Sequence, residues 1–132
     1  MRLGKASAYG VFATIFIGSH QEDGPVQGRV IAEAYGIPVE YLLKILQQLV
    51  RAQILRSERG RSGGFMLKKP ANKTTLLEIV EAVDGPIDGE LLVRREIQGA
   101  TRAKDRIEKT YNNIADYAKT LLRRMSVADL AD

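Results

Sequence analysis

Apolar positions along the chain change period several times, and each change marks a different kind of element. Ala8, Val11, Phe12, Ile15 and Phe16 recur at helical spacing, which predicts a first helix over residues 3–18 with one buried face. Gly24-Pro25 breaks the pattern. A short second helix is expected over residues 28–35, where Val30, Ile31 and Ala34 supply apolar contacts; Gly36 ends it, because glycine turns left-handed readily just past a helix. Pro38 opens a third helix, whose first turn has no use for the missing N–H. Leu42, Ile45, Leu46 and Leu49 make one stripe there and leave Glu40, Lys44, Gln47, Gln48 and Arg51 mostly on the other side. Two helices joined through Gly36-Ile37-Pro38 form a helix-turn-helix, whose second helix can lie in a major groove.

From Ile54 to Phe65 the helical period stops. The expected order is a strand from Ile54 to Glu58, a loop Arg59-Gly60-Arg61-Ser62-Gly63-Gly64, and a strand from Phe65 to Lys69, together a hairpin wing. Thr75 and Glu78 then stand as a capping box before Leu76, Ile79, Val80 and Val83, predicting a helix over 76–84 that Gly85-Pro86 closes. A short helix around Leu91 to Arg95 is the one element expected in the loop that follows. Ile107, Tyr111, Ile114, Ala118, Leu121 and Met125 recur at alternating steps of four and three, a heptad seam narrower than the stripe of a core-packed helix. Such a seam calls for a partner helix, either the same helix of a second protomer or this chain's own body. Ser126 and Asp129 cap a short terminal turn around Val127 to Leu130. The fold expected is mainly α with a small β-hairpin: a winged helix-turn-helix over residues 1–85, a connecting loop over 86–100, and a dimerisation helix with its terminal turn over 101–132.

Charge sharpens this picture. The net charge is +4 over 132 residues. Residues 51–73 hold seven bases against the single acid Glu58, whereas residues 74–93 hold five acids and no base. Positive charge gathered beside a helix-turn-helix points to a polyanion, with a solvated basic face as the plainer alternative. The chain has no cysteine and one histidine, His20, in a stretch with loop chemistry. Disulfides, zinc-thiolate sites and thiolate nucleophiles are therefore excluded. Arg61-Ser62-Gly63-Gly64 lacks the lysine and strand-loop-helix context of a phosphate-cradling loop. Asp84, Asp88 and Glu90 make an acidic loop rather than a catalytic pair, so the chain does not read as an enzyme. No apolar run spans a bilayer and no leader is evident, which implies a cytoplasmic protein without a membrane partner.

The succession Met1-Arg2-Leu3, Gly24-Pro25-Val26, Ile31-Ala32-Glu33, Gly36-Ile37, Tyr41-Leu42, Leu46, Leu49, Arg59-Gly60, Gly63-Gly64-Phe65 and Leu67 resembles the Rrf-two family of bacterial regulators. Ile79-Val80-Glu81-Ala82-Val83 and Ser126-Val127-Ala128-Asp129-Leu130 extend the likeness over nearly the whole chain. The resemblance implies a homodimer whose long C-terminal helices cross, each protomer placing one helix and one wing on half of a pseudo-palindromic site. By position Arg59 matches the family's minor-groove arginine, and Glu40, Tyr41, Leu43 and Lys44 match the base- and backbone-facing part of the recognition helix. The chain departs from the pattern twice. The family's sensors carry three cysteines between the fourth helix and the dimer helix, and this chain has none there, so no iron-sulfur cofactor is expected. Leu43 stands where glutamate is frequent; it cannot accept from cytosine N4 and is limited to apolar contact, for instance with a thymine methyl.

The reading that results is a sequence-specific binder of double-stranded DNA, a repressor acting as a homodimer. Arg2, Lys5, Arg51, Arg59 and Arg61 would hold phosphates or the minor groove, and Val39, Glu40, Tyr41, Leu43, Lys44 and Gln47 would face the major groove. A small molecule held between the dimer helix and the DNA-binding part, or a partner enzyme, would regulate it, unless it represses constitutively. The competing reading keeps the fold as a protein-interaction module whose basic wing meets an acidic partner.

Overall fold

The computed structural model describes residues 2–93 and 95–131. Its elements run α1 (Lys5–His20), α2 (Gly28–Tyr35), α3 (Val39–Arg51), β1 (Leu55–Glu58), β2 (Gly64–Leu67), α4 (Leu76–Asp84), α5 (Thr101–Arg124) and α6 (Val127–Leu130), with short 3₁₀ turns at Gln21–Asp23 and Ala71–Lys73. Helices α2, α4 and α6 span the expected residues. The mainly helical fold with one antiparallel hairpin is as anticipated, and β1 pairs with β2 from Leu55↔Leu67 to Glu58↔Gly64.

Helix α1 is the hub, and here the expected buried face is only partly right: Val11 is buried and Ile15 and Phe16 pack against the core, but Phe12 does not. The helix runs over 5–20 rather than 3–18 and buries Ser7, Gly10, Val11, Ala13, Thr14 and Ile17. Phe12 is exposed, while Ala8, Ile15 and Phe16 are half-buried. Several elements crowd this helix, so its inner positions go to small side chains: a Cβ on Gly10 would meet Val83 and Ile79 of α4 and Ile45 of α3 at 3.3–3.5 Å. Thr14 tolerates burial because its hydroxyl donates to the Gly10 carbonyl at 2.7 Å.

Helix α2 buries Ile31 and Ala32, leaving the expected contacts Val30 and Ala34 exposed. Gly36 adopts φ +66°, and the Ile37 N–H donates to the Ala32 carbonyl at 3.0 Å, closing the turn into α3. Leu42, Ile45, Leu46 and Leu49 are buried as anticipated. Strand β1 begins at Leu55 rather than Ile54, and β2 covers Gly64–Leu67 rather than Phe65–Lys69. Lys68 turns out of the strand after its N–H reaches the Ile54 carbonyl.

The capping box of α4 forms on both sides, with the Glu78 N–H donating to Thr75 Oγ1 at 3.2 Å and the Thr75 N–H to Glu78 Oε2 at 2.8 Å. Burial alone would push the Glu78 carboxyl up; the Lys69 ammonium and the Thr75 bonds outweigh it and hold the group below its usual range. A second capping box, Ser126 with Asp129, starts α6. Leu76 N–H to Met125 carbonyl and Val127 N–H to Thr74 carbonyl, both 2.8 Å, tie the end of α5 back to the start of α4. The short helix expected around Leu91 to Arg95 is not seen: Leu92, Val93, Arg95 and Glu96 lie in turns. Arg94 within that stretch and Met1 of the family-like N-terminus lie outside the described residues.

Candidate nucleic-acid interface

With its apolar stripe buried, α3 turns Val39, Glu40, Tyr41, Leu43, Lys44, Gln47 and Arg51 outward, all of them exposed. Leu43 is clasped rather than loose. A Cβ on Gly28 would lie 2.7 Å from Leu43 Cδ2, so glycine at the start of α2 leaves room for this side chain to lie against that backbone. The result is a partly exposed apolar knob beside Lys44 and Gln47. Lys5 stands near this face: its ammonium lies 5.8 Å from the centre of the Tyr9 ring, and Tyr9 meets Tyr41 edge to face at 5.8 Å.

The hairpin tip is held from three sides. Val26 pairs with Phe65 through two backbone bonds, 3.0 and 2.8 Å, as a one-residue third rung of the wing. Gln27 Nε2 donates to the Arg61 carbonyl at 3.2 Å. Gly64 has φ +147°, and a Cβ there would strike the Val26 carbonyl oxygen at 2.5 Å; Gly63 is equally hemmed in, 2.3 Å from the Glu58 oxygen. These contacts present Arg59 and Arg61, both exposed and without an ion-pair partner among the described residues. Elsewhere in the basic segment, Arg56 pairs with Glu58 at 3.6 Å and Lys69 with Glu78, while Lys68 keeps its charge in a hydrogen bond to the neutral Gln53 amide. Unneutralised positive charge among the described residues thus remains at the tip, on α3 and at Lys68 and Lys73.

Arg2 stands apart from this set, lining a cavity with Asp84 between α4 and α5. The pattern along the chain missed Val26, Gln27 and Gly28, because a single bridging residue and a side-chain bond to a distant carbonyl leave no period. The left-handed Gln53 at φ 64°, which turns α3 into β1, also had no signature.

Helix α5 carries two stripes. Asn112 and Ala115 face the body of the protein, Asn112 Oδ1 accepting from the Gly89 N–H at 3.0 Å and Ala115 being buried. Ile107, Tyr111, Ile114, Leu121 and Met125 point away, 38% to 59% exposed, with Ala118 half-buried between them. Of the two partners left open for the seam, the body of its own chain is thus not the one it meets.

Helix-turn-helix, arginine-tipped hairpin and long terminal helix together define a winged helix-turn-helix regulator. Residues 3–132 match the Rrf2 family, described as an iron-dependent transcriptional regulator, and the chain belongs to that family. It is 32% identical to the HTH-type transcriptional regulator IscR of Pectobacterium carotovorum, over all of this chain and 85% of that one. It is 30% identical to IscR of Yersinia pestis with the same coverage. Among solved structures it is similar to CymR, the global cysteine regulator of B. subtilis, with a TM-score of 0.78 and 24% identity over 99% of this chain and 96% of that one. T. potens IscR superposes with a TM-score of 0.74 at 22% identity, over 98% of this chain and 85% of that one.

The iron in the family's description does not fit the donors of this chain. Cysteine thiolates are absent from the sequence, and no group of three or more His, Asp or Glu among the described residues could hold a metal ion.

Proposed function

We propose that the protein binds double-stranded DNA as a homodimer and represses transcription at a specific operator. The observation that carries this reading is the pairing of a rigidly held, arginine-tipped wing with an outward α3 face whose charges are not spent on internal ion pairs. Residues 2–85 form the DNA-binding unit, 86–100 connect, and 101–131 bring two protomers together through α5. Lys5 and Arg51 hold phosphates, Arg59 and Arg61 reach the minor groove, and Val39, Glu40, Tyr41, Leu43, Lys44 and Gln47 face the major groove. The protein is a regulator rather than an enzyme and works in the cytoplasm; no helix among the described residues is long and apolar enough to cross a membrane. Its signal is a small molecule or a partner protein, not an iron-sulfur cluster.

Fluorescence anisotropy on the duplex upstream of the chain's own gene, against a shuffled duplex of equal length, tests the reading. A clear preference is expected at moderate salt, and Arg59→Ala should weaken operator binding by about 1–3 kcal/mol. Equal affinity for both duplexes would favour the protein-interaction reading instead.

A further inference from the structure

The cavity between α4 and α5 has a volume of about 410 Å³, within the range of about 300–1,000 Å³ typical of small-molecule sites. Leu3, Val80, Ile87 and Leu122 give it apolar walls, and Arg2 and Asp84 place one positive and one negative group on its lining. Neither charge has an ion-pair partner among the described residues. Asp84 is the last residue of α4, where unspent backbone carbonyls add to the preference for a cation. The Arg2 guanidinium offers a donor fork shaped for a carboxylate.

The cavity wall is built, not incidental. Gly85 turns the chain at φ +88°, and the Ile87 N–H donates to Glu81 Oε2 on α4 at 3.0 Å. Gly89 then lies flat on α5, where a Cβ would come within 2.3 Å of the Asn112 nitrogen. The 85–89 segment is thereby fastened to both helices beside the void. Among the described residues, its lining carries no aromatic ring to stack a nucleobase, no histidine for a metal, and no second cation for a phosphate.

From these features we propose that the cavity binds a free α-amino acid with an apolar side chain. Arg2 takes the carboxylate, Asp84 the ammonium, and the aliphatic walls the side chain. A ligand there bears on the α4–α5 joint, which sets how the dimer helix carries each winged unit. Its effect on operator affinity rests on the DNA-binding reading; the binding itself does not.

Calorimetric titration of the DNA-free full-length protein with leucine, isoleucine, methionine and phenylalanine tests the site. At least one should bind once per chain, while its amide and its des-amino acid (isocaproate for leucine) bind about tenfold more weakly or worse. Arg2→Ala and Asp84→Asn should each cost a similar factor, and Leu122→Trp, which fills the void, should abolish binding. Three results would overturn the site: no binding at millimolar ligand, isocaproate matching leucine, or affinity untouched by both Arg2→Ala and Asp84→Asn. A Leu122→Trp protein that becomes monomeric would also overturn it, by making the cavity part of the protomer contact. Binding of an amino acid by a chain with no duplex preference would sink the DNA reading alone, and operator binding without amino-acid binding would sink the site alone.

Discussion

Helices α3 and α5 are both amphipathic, yet one finishes its apolar face within the chain and the other does not. On α3, Leu42, Leu46 and Leu49 keep no exposure and Ile45 keeps 2%. On α5 the seam from Ile107 to Met125 stays largely open, with Tyr111 at 59%. Full burial of such a side chain contributes about 1.5–3 kcal/mol. For α3 that stabilisation is intramolecular and independent of concentration. For α5, under the proposed pairing of protomers, that stabilisation comes from a second chain, and the long helix, unlike α3, then owes part of its stability to mass action. On the proposed function, a regulator divided this way keeps its reading head intact while its spacing on DNA depends on assembly.

The sharpest way to break this contrast is to truncate one residue from each stripe. Leu46→Ala should cost about 2–5 kcal/mol in urea denaturation at any protein concentration. Ile114→Ala should shift dilute, monomeric protein by no more than about 0.5 kcal/mol while lowering the concentration-dependent part of the stability. Equal losses would erase the distinction.

A smaller effect separates the wing from α3. Gly64→Ala places a Cβ against the Val26 carbonyl at a left-handed φ, a strain of about 1–3 kcal/mol. Operator affinity should fall while the α3 stripe stays buried, as read by anisotropy beside near-unchanged far-UV circular dichroism. Unchanged affinity would mean that the bridge to Val26 does not hold the wing for DNA.

The smallest concerns the joint that both helices depend on. Thr75→Ala removes one half of the α4 cap and should cost about 1 kcal/mol. The Glu78 carboxyl is held below its ordinary value of 4.5, so its contribution is fully present above that pH and is lost as pH falls through the lower folded-state value. On acidification from about pH 5 to pH 3 the wild type should therefore lose more stability than Glu78→Gln. Parallel losses would place the pH dependence elsewhere.

Legibility in the sequence followed how plainly side-chain type marks each element's positions. The α3 stripe, the α4 cap and the α5 seam are carried by large apolar side chains or a capping pair at regular spacing, so they read cleanly. Helix α1 is contacted on several sides, and its tightest positions, Ser7, Gly10 and Thr14, are small or polar, so the large apolar residues marked only part of its buried face. Ser7 Oγ is even buried without a hydrogen-bond partner among the described residues, which no hydrophobic pattern anticipates. At the candidate interface the exposed residues of α3 and both wing arginines were readable, because charge and spacing mark them. The parts that hold them in place, Val26, Gln27 and Gly28, act through backbone bonds and a missing Cβ, and Arg2 lies beside the cavity rather than beside α3.

Sedimentation velocity at micromolar concentrations, comparing the wild type with Ile114→Asp/Leu121→Asp, tests the role of α5 most directly. The wild type should sediment at twice the chain mass and the double variant at the single mass, with the helical signal of the winged part retained. A wild type that stays at single-chain mass, or a double variant that remains dimeric, would contradict assembly through the α5 seam.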